Sequence, residues 1–240
     1  SIYELDTDGT NLYVAGYSNH RIRKVVIATG AVTTLAGSGS TGSTDGTGTS
    51  AKFWGPMGVT NVGDYLYVTD RYNHKIRKIV KSTGVVTTIA GTGSYGFLDH
   101  NTGTSAKFYY PWGITTDGSN LFVGDGHNHR IRKIVISTGA VTTFAGSGST
   151  GSTDGTGTSA SFHYPYGVFS DGINVYVADS SNHKIRKLAV RATVTADVEL
   201  HNLDDDTDAT VSLASSDTGE ATVSPATLTF TEDNWNTTQT

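Results

Sequence analysis

NHRIRK, at residues 19–24, is the first of four related hexamers in this chain. It returns as NHKIRK at 73–78, NHRIRK at 128–133 and NHKIRK at 182–187, with spacings of 54, 55 and 54 residues. A basic hexamer repeated so regularly is either a set of binding groups or the framework of a repeating fold. A period of this length predicts an array of similar structural units, each packed on its neighbours.

The segments between the hexamers keep the same period. The loop AGSGSTGSTDGTGTSAKF (36–53) returns at 145–162 with Ser161 in place of Lys52, and a diverged copy that is one residue longer spans 90–108. Within one period, at 113–146, the runs GITTDG, NLFVGD, RIRKIVI and AVTTFAG are short, rich in β-branched residues and separated by turn residues. Four short antiparallel strands per period describe one blade of a β-propeller.

The whole pattern resembles the NHL repeat. It combines a Gly-rich loop ending in Ala-x-Phe, a Pro-x-Gly step, a strand ending in Asp, the Asn-His-x-Ile-Arg-Lys hexamer and a Gly-x-Val-Thr-Thr strand. The resemblance covers roughly residues 5–190, with Arg or Lys where the family name has Leu. It implies a β-propeller, most often of about six blades, whose long loops meet on one face around a central depression.

We therefore predict an all-β chain with a β-propeller of four NHL blades over residues 1–191. The blades are expected at about 1–36, 54–90, 109–145 and 163–197. The first copy lacks the preceding long loop, and the fourth lacks the Gly-x-Val-Thr-Thr strand. Two arrangements stay open: a closed four-bladed ring, or part of a larger or intermolecularly completed ring.

Charge divides the chain into two parts. All 17 Lys and Arg residues lie at or before Arg191, whereas 10 of the 22 acidic residues follow it. This shift predicts a separate acidic module at 192–240. Its alternating apolar and polar residues at 209–240 resemble the Calx-β-like and immunoglobulin-like modules of bacterial surface proteins, which implies a partial, incomplete β-sandwich tail or a strand donor.

Composition excludes several chemistries. The chain has no cysteine, so disulfides and thiol nucleophiles are absent. Its glycine-rich loops lack the Lys-Ser/Thr of a phosphate-binding P-loop, and no serine lies in a nucleophile elbow. No apolar run is long enough to predict a membrane span.

The hexamer holds most of the positive charge, so its role decides whether a nucleic acid is a partner. The candidate acidic partners Asp70, Asp125 and Asp179 end the preceding strand in three copies, where the first copy has Gly16. We predict framework ion pairs rather than an RNA-binding surface, because the long loops carry almost no cations. The central arginines of the four hexamers are Arg23, Arg77, Arg132 and Arg186.

One histidine per hexamer would form a ring near one face of the propeller. Imidazoles in a ring could hold a metal, but equivalent turn residues are expected to lie too far apart for ligand distances of about 2 Å. We predict that the Asn-His pairs cap turns. The four histidines are His20, His74, His129 and His183.

The segments FWGPMG (53–58), FYYPWG (108–113) and FHYPYG (162–167) vary most between the copies. Their first residues, Phe53, Phe108 and Phe162, are expected in the core. The variable aromatic residues either pack blade against blade or line a depression that binds a carbohydrate or a peptide by stacking and hydrogen bonding. The candidate ligand-binding residues are Trp54, Tyr110, Trp112, Tyr164 and Tyr166.

The acidic run LDDDTD (203–208) is the candidate metal site. Asp204, Asp206 and Asp208 alternate as the ligands of a calcium loop can, although the glycine and distal glutamate of an EF-hand are missing. A solvated acidic turn is the alternative. We expect no other cofactor.

These features favour a non-catalytic binding or structural scaffold of bacterial origin, secreted or at the cell surface. Its partners would be surface proteins or other copies of itself, joined by strand completion. The alternatives are a carbohydrate- or peptide-binding propeller and a metal-dependent lyase or hydrolase with its site in the channel. Uniform copies favour the scaffold, since an active site places unlike residues around one centre.

Overall fold

The computed structural model describes residues 1–190 and the backbone of two later strands. The chain divides into two compact units, Ser1–Leu188 and Ala189–Thr240. The candidate calcium residues Asp204, Asp206 and Asp208 and most of the predicted sandwich module lie outside the described residues. No helix within the described residues is long and apolar enough to cross a membrane.

The first half of the propeller contains two blades. Blade 1 has the strand order β1-β2-β3-β4, from β1 (Ile2–Thr7), β2 (Asn11–Gly16), β3 (Arg21–Val26) and β4 (Val32–Ala36). Blade 2 is formed by β6 (Pro56–Val62), β7 (Tyr65–Asp70), β8 (Lys75–Val80) and β9 (Val85–Ala90), and the short β5 (Gly46–Thr47) pairs with β9.

The second half contains one four-stranded blade and one three-stranded blade. Blade 3 contains β10 (Pro111–Thr116), β11 (Asn120–Asp125), β12 (Arg130–Val135) and β13 (Val141–Ala145). Blade 4 contains β14 (Pro165–Ser170), β15 (Asn174–Asp179) and β16 (Lys184–Ala189). In the second unit, β17 (Ala209–Ser212) pairs with β18 (Thr227–Phe230) in antiparallel fashion.

Local sequence explains the hairpins. In blade 3, Asp117 Oδ1 accepts hydrogen bonds from the backbone N–H groups of Ser119 and Asn120, at 2.9 and 2.7 Å, and Gly118 takes a positive φ of 93°. Asp8 and Asp171 close the matching turns of blades 1 and 4 in the same way. The repeated Asp-Gly pairs therefore fix where each first strand turns back.

The core lies between successive blades, because each blade is apolar on both faces. Tyr13 and Ile22 of blade 1 pack with Val59 and Leu66 of blade 2, and a matching cluster joins blades 2 and 3. The three phenylalanines predicted in the core are all fully buried, which confirms that prediction: Phe53, Phe108 and Phe162. The prediction of an all-β fold with four β-propeller blades is likewise confirmed.

Among residues 1–190, the two end blades each present one apolar face that no other blade covers. Leu5 in blade 1 is 53% exposed, whereas its equivalent in blade 2, Val59, is 1% exposed. Ile185 in blade 4 is 75% exposed, although Ile22 and Ile131, which hold the same position, are fully buried. These faces favour the larger or intermolecularly completed ring over a closed four-bladed one.

Candidate functional site

In blades 2, 3 and 4, the central arginine of the hexamer forms a buried ion pair with the aspartate that ends the preceding strand. In blade 3, Asp125 Oδ2 accepts hydrogen bonds from Arg132 Nη1 at 2.9 Å and Asn128 Nδ2 at 2.8 Å, and Oδ1 accepts the backbone N–H of Tyr109 at 2.8 Å. The Asp125 and Arg132 side chains are fully buried. Blades 2 and 4 repeat the pair as Asp70–Arg77 and Asp179–Arg186. The predicted framework ion pairs are confirmed in these three blades.

Each of these arginines also forms an ion pair with a second carboxylate, which sequence reasoning missed. Asp99, in the long loop before blade 3, accepts a hydrogen bond from Arg132 Nη2 and also from the backbone N–H of Thr143 in β13 at 3.0 Å. Asp45 pairs with Arg77 and accepts the backbone N–H of Thr88 in the same way, and Asp154 pairs with Arg186. The available signal was the one aspartate kept in all three long loops. With two carboxylates each, these arginines are structural and offer no surface to a nucleic acid.

The hexamer histidines connect neighbouring blades. His20, His74 and His129 adopt left-handed backbone angles, and their Nδ1 atoms accept the backbone N–H of Gly55, Tyr110 and Tyr164, respectively, at 3.1–3.2 Å. Burial, together with the charge of Arg71, lowers the pKa of His74 to about 4. The predicted turn capping is confirmed, with an added bond to the next blade. No group of three or more His, Asp or Glu side chains in the described part of the chain could hold a metal ion.

The structure brings all five candidate ligand-binding residues into one run of ring contacts, here called the aromatic surface. Tyr72 lies between Trp54 and Tyr110, with ring centroids 5.5 Å from each. His127 links Tyr110 to Tyr164 at 4.8 and 4.9 Å. The run ends with Tyr166, which is 5.7 Å from Tyr164 and stacks on Trp112 at 3.9 Å. Ligand binding by these residues stays a prediction.

Sequence reasoning missed the members of the aromatic surface that precede the hexamers. The two residues before each Asn-His pair are Tyr-Ser, Arg-Tyr, Gly-His and Ser-Ser in blades 1 to 4. They supply Tyr17, Arg71, Tyr72 and His127 to the surface. Gly126 belongs to the same set. A Cβ at this position would lie 2.8 Å from the Tyr166 ring, so the absence of a side chain leaves room for that ring. Variation beside an invariant motif was the usable signal.

Arg71 lies among these rings. Its Cζ atom is 4.7, 5.0 and 4.6 Å from the ring centroids of Tyr72, Tyr110 and Trp112, and its Nη1 donates a hydrogen bond to the Tyr17 hydroxyl at 3.2 Å. That hydroxyl also shares a 2.6 Å hydrogen bond with the Tyr72 hydroxyl. The guanidinium thus joins side chains from blades 1, 2 and 3.

Glu4 occupies the inner-strand position that is glycine in the other blades, namely Gly58, Gly113 and Gly167. Its carboxylate lies over Gly58, where an added Cβ would be 2.6 Å from Glu4 Oε2. Burial raises the pKa of Glu4 to about 8, although the backbone N–H of Ile114 acts in the opposite direction. Burial therefore favours the protonated form of the Glu4 carboxyl.

Comparison with known proteins supports the repeat assignment. Residues 108–134 match the NHL repeat. The chain is 35% identical over 144 residues to NHL repeat-containing protein 2 of Bos taurus, a match that spans 55% of this chain and 20% of that protein. It is 35% identical over 145 residues to Protein SUPPRESSOR OF QUENCHING 1, chloroplastic, of Arabidopsis thaliana, over 56% of this chain and 14% of that protein. The matched region is thus a fifth or less of these relatives' length.

Solved structures agree with the fold. A structural genomics protein of unknown function from Bacteroides thetaiotaomicron aligns with a TM-score of 0.64 and 25% identity, over 78% of this chain and 46% of that one. An auxiliary nutrient binding protein from the same organism aligns with a TM-score of 0.62 and 22% identity, over 77% and 46%. The chain therefore carries an NHL repeat within four blades of a β-propeller.

Proposed function

We propose that this chain is a non-catalytic binding propeller and that the aromatic surface takes up a carbohydrate. The observation that carries the proposal is the convergence of unlike residues from different blades on one surface, in a chain whose copies are otherwise nearly uniform. Aromatic faces stack on the apolar faces of sugar rings, and phenol hydroxyls such as that of Tyr17 bond sugar hydroxyls.

Backbone strain supports this proposal. Tyr110 and Tyr164 adopt left-handed backbone angles, with φ of 51° and 54°, at a position that is Gly55 in blade 2. A non-glycine residue in this conformation costs about 1 kcal/mol or more. Glycine would relieve this strain, so tyrosine at both positions is what we expect if the rings have a function beyond packing.

The fold neighbours are compatible with a binding role. Two of them are named auxiliary nutrient binding proteins, from Bacteroides thetaiotaomicron and Bacteroides ovatus, each 22% identical to this chain. At that identity they share the fold alone with this chain, so the proposal depends on its own residues. Trp54, which is 45% exposed at one end of the aromatic surface, is available for stacking.

We predict that Trp112→Ala weakens carbohydrate binding by about 2 kcal/mol, or roughly 30-fold, the typical effect of removing a central aromatic residue. A glycan and peptide array probed with wild type and variant is the measurement. Tyr65→Ala is the matched control, because Tyr65 is an exposed aromatic residue outside the aromatic surface and contacts Lys78. Equal signals from wild type and Trp112→Ala would contradict the proposal, and binding to peptides alone would change the ligand class.

Location and the absence of catalysis are further parts of the proposal. We infer a secreted or cell-surface protein, which fractionation of the source cells would test. The competing function, a metal-dependent lyase or hydrolase, requires a bound ion. Stoichiometric Zn²⁺ or Ca²⁺ in purified protein, retained when residues 203–208 are made neutral, would favour the enzyme.

The exposed end faces support a second candidate function, self-assembly. Ile185 of blade 4 holds the position by which Ile22 and Ile76 pack on the following blade, and Leu5 of blade 1 holds the position by which Val59 packs on the preceding one. The two uncovered faces are thus the halves of an interface formed repeatedly inside the chain. We propose that a second copy covers them, blade 1 against blade 4, in a head-to-tail contact.

Blade 1 has a second feature that a preceding blade would complete. Arg23 bonds only the carbonyl oxygen of Thr33 and has no carboxylate partner within the described residues, whereas the equivalent Arg77 has two. One of those two, Asp45, comes from the loop that precedes the blade. A loop from a neighbouring copy could supply the missing acid.

We predict that Ile185→Asp lowers self-association, because a buried, unpaired carboxylate opposes the contact. Light scattering after size exclusion should show wild-type particles above the 25.3 kDa of one chain, and the variant near that mass. Ile173→Asp, at an exposed turn of blade 4, is the control and should behave as wild type. A wild type that stays monomeric at every concentration would contradict the prediction.

A further inference from the structure

We propose that the ligand of the aromatic surface is an acidic saccharide and that Arg71 binds its carboxylate. This inference rests on the proposed binding function and adds the chemical class of the ligand and the residue that selects it. No other arginine in the described residues lies among so many aromatic rings without an acidic partner.

The charge of Arg71 is uncompensated. Arg77, Arg132 and Arg186 each form ion pairs with two aspartates, whereas Arg71 donates a hydrogen bond to the Tyr17 hydroxyl and has no acidic partner within the described residues. Its Nε atom is buried without a partner. A partly desolvated cation of this kind is costly unless an anion joins it, and the surrounding ring faces offset only part of that cost.

The neighbouring side chains leave the local charge positive. His74 and His127 have pKa values below the usual one, first because of burial and then because of the charge of Arg71. The pKa of the Tyr72 hydroxyl is lowered as well, first by the hydrogen bond with Tyr17 and also by the charge of Arg71. The aromatic surface therefore favours a negatively charged group, and no carboxylate of the described residues is bonded to Arg71 to supply it.

The position of Arg71 separates recognition from folding. The equivalent residues are Tyr17, Gly126 and Ser180, so no blade requires arginine at this place. Its planar guanidinium serves two purposes. It contacts the rings of Tyr72 and Trp112, and it can form charge-assisted hydrogen bonds with a carboxylate. A uronic acid combines the two matching features, a ring face that stacks and a carboxylate at its edge.

Calorimetric titration with an oligogalacturonate and with its neutral methyl ester tests the inference. We expect wild type to bind the acid about tenfold or more tightly than the ester, with a difference that shrinks as salt rises. Arg71→Met should lose this preference and keep the weaker binding of the ester. Arg71→Lys, which retains the charge, should keep part of it, and Lys187→Met, which removes an exposed cation from blade 4, should behave as wild type.

The outcomes distinguish this inference from the binding proposal. Equal binding of acid and ester by wild type, or a preference that survives in a folded Arg71→Met protein, would overturn the role of Arg71 and leave carbohydrate binding intact. Binding of an acidic peptide in place of both saccharides would overturn the ligand class. Failure of wild type to bind any of the three probes would overturn the binding proposal and this inference together.

Discussion

Asp125→Ala is expected to lower the free energy of unfolding by about 3–5 kcal/mol, the cost of removing one partner from a buried ion pair. The reason is that Arg132 stays fully buried and keeps only Asp99, whose side chain is 38% exposed, as an acidic partner. The variant also leaves Asn128 Nδ2 and the Tyr109 N–H without the acceptor that Asp125 provides. Urea denaturation followed by circular dichroism measures the loss.

Two further variants distinguish the loss of the buried ion pair from the loss of a charge alone. Asp154→Ala removes a side chain that is 95% exposed, so its effect should stay within about 1 kcal/mol although it also pairs with an arginine. The double variant Asp125→Ala, Arg132→Met removes both charges and should be more stable than Asp125→Ala alone. A loss below about 1 kcal/mol for Asp125→Ala would show that the pair does not hold the blade.

The repeat made the framework predictable from sequence. The hexamer fixed the period, and each aspartate lies seven residues before its arginine, across one turn on neighbouring antiparallel strands. Position within a hairpin therefore brings the two together without knowledge of the rest of the fold. The fourth copy, which lacks the Gly-x-Val-Thr-Thr pattern, forms three strands within the described residues for the same local reason.

The candidate site was only half predictable, because its members come from different blades. The variable residues after each phenylalanine pointed to Trp112 and Tyr166. Variation beside the hexamer marks Arg71 and Tyr17, but it does not predict their contact, which depends on how far one blade is rotated from the next. The exposed faces of blades 1 and 4 depend on the same rotation, which no local pattern encodes.

The environment of the Glu4 carboxyl also depends on the packing between blades. The register of β1 places it at the glycine position of the inner strand, but the consequence, a carboxylic acid lying over Gly58, requires the neighbouring strand. A single residue that departs from the repeat at an inner strand is therefore worth testing even where the copy looks degenerate.

Glu4→Gln is expected to remove a large pH dependence of stability. Burial raises the pKa of Glu4 from its ordinary value of 4.5 to about 8 in the folded protein. Between these values the unfolded chain releases the proton and the folded protein keeps it, so the free energy of unfolding falls as pH rises, by about 1.4 kcal/mol per pH unit. Across the window the loss is on the order of 5 kcal/mol, and above about pH 8 it no longer grows.

The difference between wild type and Glu4→Gln isolates this contribution from all other titrating groups. The two proteins should be similarly stable at about pH 3, below both pKa values, where Glu4 is neutral in both states, and the variant should be the more stable near pH 8. Asp64→Asn, which removes a carboxylate at an exposed turn outside the inner strands, is the matched control. If the difference in free energy of unfolding between wild type and Glu4→Gln does not change from about pH 5 to about pH 8, the prediction is wrong. Such a result would mean that water solvates the carboxylate, because the pKa of a carboxyl group is raised only where burial removes it from water.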